Sequence, residues 1–172
     1  MSLPIYDAHN HLQDDWLQPH RATVFADLAR LDAFRGAVVN GTEENDWDEV
    51  AALARKHAWV WPAFGLHPWY VKSRTPHWID KLAQQLDAAG ARASIGEIGL
   101  DRWIEDYDLD DQREVFVAQL RLANARNLPV TIHCLQAWGA LDEVLRAKSL
   151  PARGFLIHAY GGPLEMLGPL AK

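Results

Sequence analysis

A chain of 172 residues, 49% hydrophobic and 23% charged, suits one domain with a sizeable core and is short for two. Its net charge of -6 gives no basic footprint for tracking a phosphate backbone, so bound metal would have to supply most of the positive charge facing any phosphate. The single cysteine, Cys134, excludes an intrachain disulfide, and no apolar run approaches the roughly 20 residues of a membrane span. The expectation is a cytoplasmic protein with no membrane partner.

The chain reads as a strand followed by a helix, repeated. The first strand, Pro4 to Ala8, leads through a polar, aromatic loop to a predicted helix over Ala22 to Phe34. Gly36 to Asn40 is a second strand, followed by a helix from about Asn45 to His57 with Thr42 or Asn45 as cap. The third strand, Trp59 to Phe64, ends in Gly65-Leu66-His67-Pro68. Thr75-Pro76 then supplies a cap and a first-turn proline for a helix running to about Ala89. Ala93 to Glu97 is the fourth strand. The long helix after it, from about Leu109 to Arg126, sets Phe116, Leu120 and Ala123 on one face. Pro129 to His133 is the fifth strand, with a helix from about Ala137 to Lys148. Gly154 to His158 is the sixth.

Six βα units with short apolar strands predict a parallel sheet covered by helices. Ligand-type residues recur at the ends of strands one, three, four, five and six, as the rim of a barrel requires. No glycine-rich phosphate fingerprint follows strand one, as a doubly wound sheet would carry. The expected fold is α/β, a (β/α)8 TIM-barrel type with about six βα units present. Such a barrel needs eight strands and typically about 250 residues. Residues 1–172 are therefore expected to form one barrel domain truncated before its last two units.

His9-Asn10-His11 is the first of the rim groups. Residues i and i+2 of a strand point the same way, so the two imidazoles can share one ion. Glu97, His133 and His158 end later strands and face the same rim. One such histidine alone is more often a hydrogen-bonded structural residue. Five of these residues at one end of a barrel are hard to explain structurally, and an unpaired buried acid in Ile95-Gly96-Glu97-Ile98-Gly99 is costly. Imidazoles with one carboxylate suit zinc, manganese, iron or nickel better than calcium. A carboxylate can bridge two ions where imidazole cannot, so Glu97 is the candidate bridge. His9 and His11 would hold one ion, and His133 and His158 the other.

Asp7-Ala8-His9-Asn10-His11-Leu12, Gly65-Leu66-His67-Pro68, Gly96-Glu97-Ile98-Gly99-Leu100-Asp101, Leu128 to Cys134, and Ile157-His158-Ala159-Tyr160-Gly161-Gly162 resemble the successive motifs of the TatD-like hydrolases. These are TatD-type deoxyribonucleases within the amidohydrolase-like barrel superfamily. Gln112, Phe116, Gln119 and Leu120 resemble that family's helix before the fifth strand. The resemblance covers essentially the whole chain. It implies a barrel, two divalent metal ions (zinc, manganese, magnesium, iron or nickel) and hydrolysis of phosphodiester bonds by metal-activated water, with Glu97 as catalytic residue. It assigns His9 and His11 to one ion, Glu97 to both, and His133 and His158 to the second. The expected partner is DNA, a small phosphodiester or another hydrolysable substrate, and no specific protein partner is expected.

Three departures stand out. The family carries a further metal-binding aspartate on its last strand, which this sequence does not include. Leu135 replaces a frequent arginine after the fifth strand, and Gly161 replaces a serine after the sixth. Two other functions therefore stand beside the nuclease: a metal-dependent amide or ester hydrolase, and an inactive metal-binding fragment. Candidate substrate contacts are His67, Trp69, Asp101, Arg102 and Tyr160, each with a structural alternative. His67 can contact phosphate or cap the Pro68 turn. Asp101 can orient a ligand or accept from loop amides, and Arg102 can contact phosphate or stay solvated. Trp16, Trp69, Trp103 and Trp138 can stack flat groups or shield apolar surface. Trp47, Trp59, Trp61 and Trp78 are expected to pack between helices and sheet.

Overall fold

The computed structural model describes residues 3–148 and 150–171. Its elements run β1 (Ile5–Asn10), α1 (Arg21–Arg30), β2 (Phe34–Asn40), α2 (Trp47–Lys56), β3 (Val60–Phe64), α3 (Trp78–Ala89), β4 (Ser94–Asp101), α4 (Leu109–Arg126), β5 (Val130–Leu135), α5 (Trp138–Ala147), β6 (Phe155–Ile157) and a short α6 (Leu167–Leu170). The six strands form one sheet in the order β1-β2-β3-β4-β5-β6, and each neighbouring pair is parallel. Strands in chain order, with no reversal, make the wall of a (β/α)8 barrel. A doubly wound sheet reverses its order at a switch point.

Strand and helix order match the sequence reading, while several boundaries move for identifiable reasons. The first helix ends at Arg30, not Phe34, because Phe34 N–H bonds Leu31 O in a turn and Phe34 then opens β2. Strands β4 and β5 run four and two residues further than predicted, since Gly99, Leu100 and Asp101 pair with His133, Cys134 and Leu135. The glycine there permits close approach. Gly99 has φ +150°, and a Cβ on it would lie 1.9 Å from the carbonyl oxygen of His133. Thr75 does not cap α3, which starts at Trp78. Its N–H and hydroxyl donate instead to Glu44, at 2.6 and 2.7 Å. Helix α4 keeps its predicted span. Asp108 accepts from the amides of Asp110 and Asp111, and Asn127 closes the helix in the left-handed region.

The core lies where α2 to α5 cover the middle strands, and Phe64, Ile95, Ile98, Phe116, Leu120 and Ile132 are fully enclosed there. Strand β4 is buried along almost its whole length. By contrast β1, α1 and β6 bury no residue apart from partial cover. Trp47 is fully buried, and Trp59 and Trp78 pack against the core as expected. Trp61 does not, because its side chain is 46% exposed on the face of β3 that α2 and α3 leave uncovered.

Candidate metal centre

At the C-terminal ends of the strands a pocket of about 740 Å³ opens, with His11, His67, Glu97, His133 and His158 among its lining residues. Glu97, on β4, is buried and central. Its Oε2 lies 3.3 Å from His9 Nε2 and 3.1 Å from His11 Nε2. Its Oε1 lies 2.5 Å from His158 Nε2, 3.0 Å from His133 Nδ1 and 3.4 Å from His67 Nε2. The two carboxylate oxygens thus face separate imidazole pairs. The nitrogens of those pairs are 3.2 Å apart in His9 and His11, and 3.3 Å apart in His133 and His158. Ligand atoms about 2.0–2.2 Å from a shared zinc-like ion would be separated by about this much.

Hydrogen bonds at the far side of each ring decide which nitrogen carries a lone pair. His11 Nδ1 donates to the carbonyl of Asn40 at 2.8 Å, which leaves Nε2 bare toward Glu97. His133 Nε2 donates to Asp101 Oδ2 at 2.8 Å, which leaves Nδ1 bare. A carboxylate behind a histidine in this way fixes the tautomer of a metal ligand. His67 is the opposite case. Its Nδ1 accepts from the Trp69 amide at 3.2 Å, so Nε2 carries the proton and points it at Glu97. Although His67, Glu97 and His133 are close enough to form a metal-sized group, this tautomer makes His67 a donor into the site. Of the sequence alternatives for His67, the turn cap is met by its Nδ1, while its Nε2 faces Glu97.

When no ion is bound, His11 and His133 can carry a second proton on the nitrogen that would otherwise ligate; burial alone would push the Glu97 carboxyl up, but hydrogen bonds from His11, His133, His158 and His67 then hold it far below the usual carboxylate range. His11 and His133 are raised against the pull of burial by that same carboxylate, helped by Asn40 and Asp101 respectively. Burial lowers His67 and outweighs Glu97 there. Burial also pushes the Cys134 thiol up to about 12, so it is no nucleophile at neutral pH. The donor set fits divalent cations. Five convergent groups share one negative charge, and His9 Nδ1 is buried with no hydrogen-bond partner, so nothing but Glu97 and its neighbours orders that ring.

Gln13 and Asp46, which sequence reading overlooked, and Gln112 and Gln119, to which it gave no structural part, hold this geometry in place. Gln13 Nε2 donates to the same Asn40 carbonyl as His11, at 2.7 Å, and to Asp46 at 3.0 Å. Asp46 also accepts from the Thr42 amide and hydroxyl, tying the loop after β1 to the loop after β2. From α4, Gln112 exchanges two hydrogen bonds with the backbone of Asp101, and Gln119 does the same with Leu66. Their signal in the sequence is a pair of amides at i and i+7 on the apolar face of Phe116 and Leu120. Asp101 accepts from two loop amides, as one expected role has it, and also from the Trp69 indole and from His133. Arg102 turns onto Tyr107 and Tyr160 bonds Pro163 O, both outside the pocket lining.

The sequence matches the profile of the family described as TatD related DNase over residues 6–172. The chain belongs to the TatD-related family of metal-dependent hydrolases. The metal-dependent hydrolase YjjV of Escherichia coli K12 is 31% identical over 129 residues, which cover 74% of this chain and 49% of that protein. The 3'-5' ssDNA/RNA exonuclease TatD of the same strain is 30% identical over 130 residues, covering 76% and 50%. The crystal structure of the E. coli TatD homologue YjjV superposes with a TM-score of 0.87 at 28% identity, over 97% of this chain and 64% of that one. A phosphotriesterase homology protein from E. coli shares the fold at a TM-score of 0.57 and 16% identity, over 84% and 58%. The chain spans about half the length of these two curated TatD-type relatives. Among the described residues, no helix of this family member is long and apolar enough to cross a membrane.

Proposed function

We propose that this chain is a divalent-metal-dependent phosphodiesterase of the deoxyribonuclease type, with His9 and His11 on one ion, His133 and His158 on a second, and Glu97 bridging. The observation that carries this reading is the division of Glu97: Oε2 meets the imidazoles of His9 and His11, and Oε1 those of His133 and His158, with the His67 N–H beside them. Two divalent ions about 3.5–4 Å apart would supply Lewis acidity at the phosphoryl oxygens and a water acidified toward neutral pH. The chain's own residues do the rest. Asn40 and Asp101 hold His11 and His133 in the ligating tautomer, and His67 Nε2–H is aimed where it can donate to a phosphoryl oxygen. In support, TatD of E. coli is named as a nuclease of single-stranded DNA and RNA. A cytoplasmic site of action belongs to the same reading.

The test is manganese-dependent cleavage of a single-stranded oligonucleotide. It should be abolished by chelation and reduced about a hundredfold or more in Glu97→Ala. Unchanged cleavage under either condition overturns the reading. A second reading, hydrolysis of an amide or carboxylic ester, is favoured by the acidic wall formed by Asp14, Asp15, Glu43, Asp46 and Glu49. The cation in that wall, Arg21, is taken up by Glu49 and by the Gln13 carbonyl. Higher rates on an amide and ester panel than on the oligonucleotide would select this second reading. We further propose that residues 1–172 form one barrel domain that two more βα units complete, with an aspartate on the last strand. A reading frame continuing past Lys172 into such a strand tests this. A frame without it favours metal binding without turnover.

A further inference from the structure

Trp69, in the pocket lining, and Trp103, stacked on it, are 47% and 62% exposed. Exposing large aromatic surface beside a polar pocket has no packing benefit. The two rings lie against each other, centroids 6.5 Å apart and planes within 29°, so their outer faces form one continuous step. Trp69 lines the pocket and sets its ring edge against His67 at 5.2 Å. Its plane is fixed, because Nε1 donates to Asp101 Oδ2 at 2.7 Å.

Asp101 is fully buried and joins this step to the metal centre. Its Oδ2 takes the Trp69 indole and His133 together. Its Oδ1 takes the backbone amides of Trp103, at 2.6 Å, and Ile104, at 3.2 Å. One carboxylate thus fixes the Trp69 indole, the backbone that carries Trp103 and the orientation of one ligand histidine. We propose that Trp69 and Trp103 form a stacking platform for a heteroaromatic ring of the substrate, and that Trp69 is also a positioning residue for His133 through Asp101. The nature of that ring, a nucleobase, rests on the phosphodiester reading above. Trp69 enters the pocket from the loop after β3, and Trp103, on the loop after β4, stacks on it.

Binding to the manganese-loaded chain tests this without turnover, using adenosine 5′-monophosphate and ribose 5-phosphate as probes in calorimetry and tryptophan quenching. The nucleotide should bind about tenfold more tightly than the same sugar phosphate lacking the ring. Trp103→Ala should bring that ratio close to one and leave manganese affinity intact. Trp69→Phe keeps an aromatic face but loses the N–H. It should keep most of the ratio while weakening manganese binding about threefold to tenfold, with the melting temperature of the metal-free chain unchanged. Equal binding of the two probes to the unsubstituted chain, or an undiminished ratio in Trp103→Ala, overturns the platform. Unaltered manganese affinity in Trp69→Phe overturns the positioning role. A chain that prefers the nucleotide but cleaves no oligonucleotide refutes the phosphodiesterase reading and leaves the platform standing.

Discussion

Glu97 illustrates how a buried charge is retained when its surroundings answer it. An isolated carboxylate at that depth would be protonated, yet hydrogen bonds from His11, His133, His158 and His67 keep it ionised when no ion is bound. If its oxygens serve two ions, the histidine pairs are separable. His11→Ala and His133→Ala should each reduce manganese stoichiometry in calorimetry from two to one, and Glu97→Ala should weaken both sites. A stoichiometry of one in the unsubstituted chain would count against the pairing. The five strand-end residues were legible in the sequence because ligand chemistry restricts residue type and alternation restricts direction. The tautomers were not, since Asn40 and Asp101 act through atoms 29 and 32 positions away from His11 and His133.

At the scale of elements, helices reach into the sheet with polar side chains at two places. Gln119 satisfies both the N–H and the C=O of Leu66 from α4, as a neighbouring strand would. Gln119→Leu leaves those two buried groups unpaired and should cost about 2–4 kcal/mol in urea unfolding. Glu44 performs a similar task between the β2–α2 loop and the start of α3, accepting from Thr75 and from Lys81 at 2.9 Å. Burial opposes its ionisation, but the Thr75 and Lys81 contacts prevail and hold its pKa below the ordinary 4.5. A depressed acid stabilises the fold above its unfolded value and loses that contribution as pH falls through the folded one. Glu44→Gln should therefore cost about 1 kcal/mol at pH 7 and nothing well below pH 4. A cost independent of pH would contradict this. Such long-range clamps explain why Thr75 reads as a helix cap in sequence and acts otherwise: local pattern carries no information about a carboxylate 31 residues away.

Across the whole molecule the two ends of the sheet differ from its middle. Strands β1 and β6 each pair on one side only among the described residues, and Leu3, Ile5, Tyr6 and Leu156 present apolar side chains to water there. Open edges of this kind template further pairing. The 172-residue chain should self-associate, with sedimentation coefficients that rise with concentration; a monodisperse, cooperatively melting monomer would show this wrong. Sequence alone determined the βα repeat, the parallel sheet and the gathering of imidazoles around one carboxylate at its rim. Hydrophobic period, turn chemistry and donor type are properties of short segments, and short segments are what a sequence displays. The tertiary structure decided that β4 and β5 extend to Asp101 and Leu135, that His67 presents a proton rather than a lone pair, and that one buried carboxylate ties the Trp69 indole and the Trp103 backbone to His133. Each of those depends on which backbone and side-chain groups meet across strands distant in sequence, and only the closed packing of the chain brings them within hydrogen-bond reach.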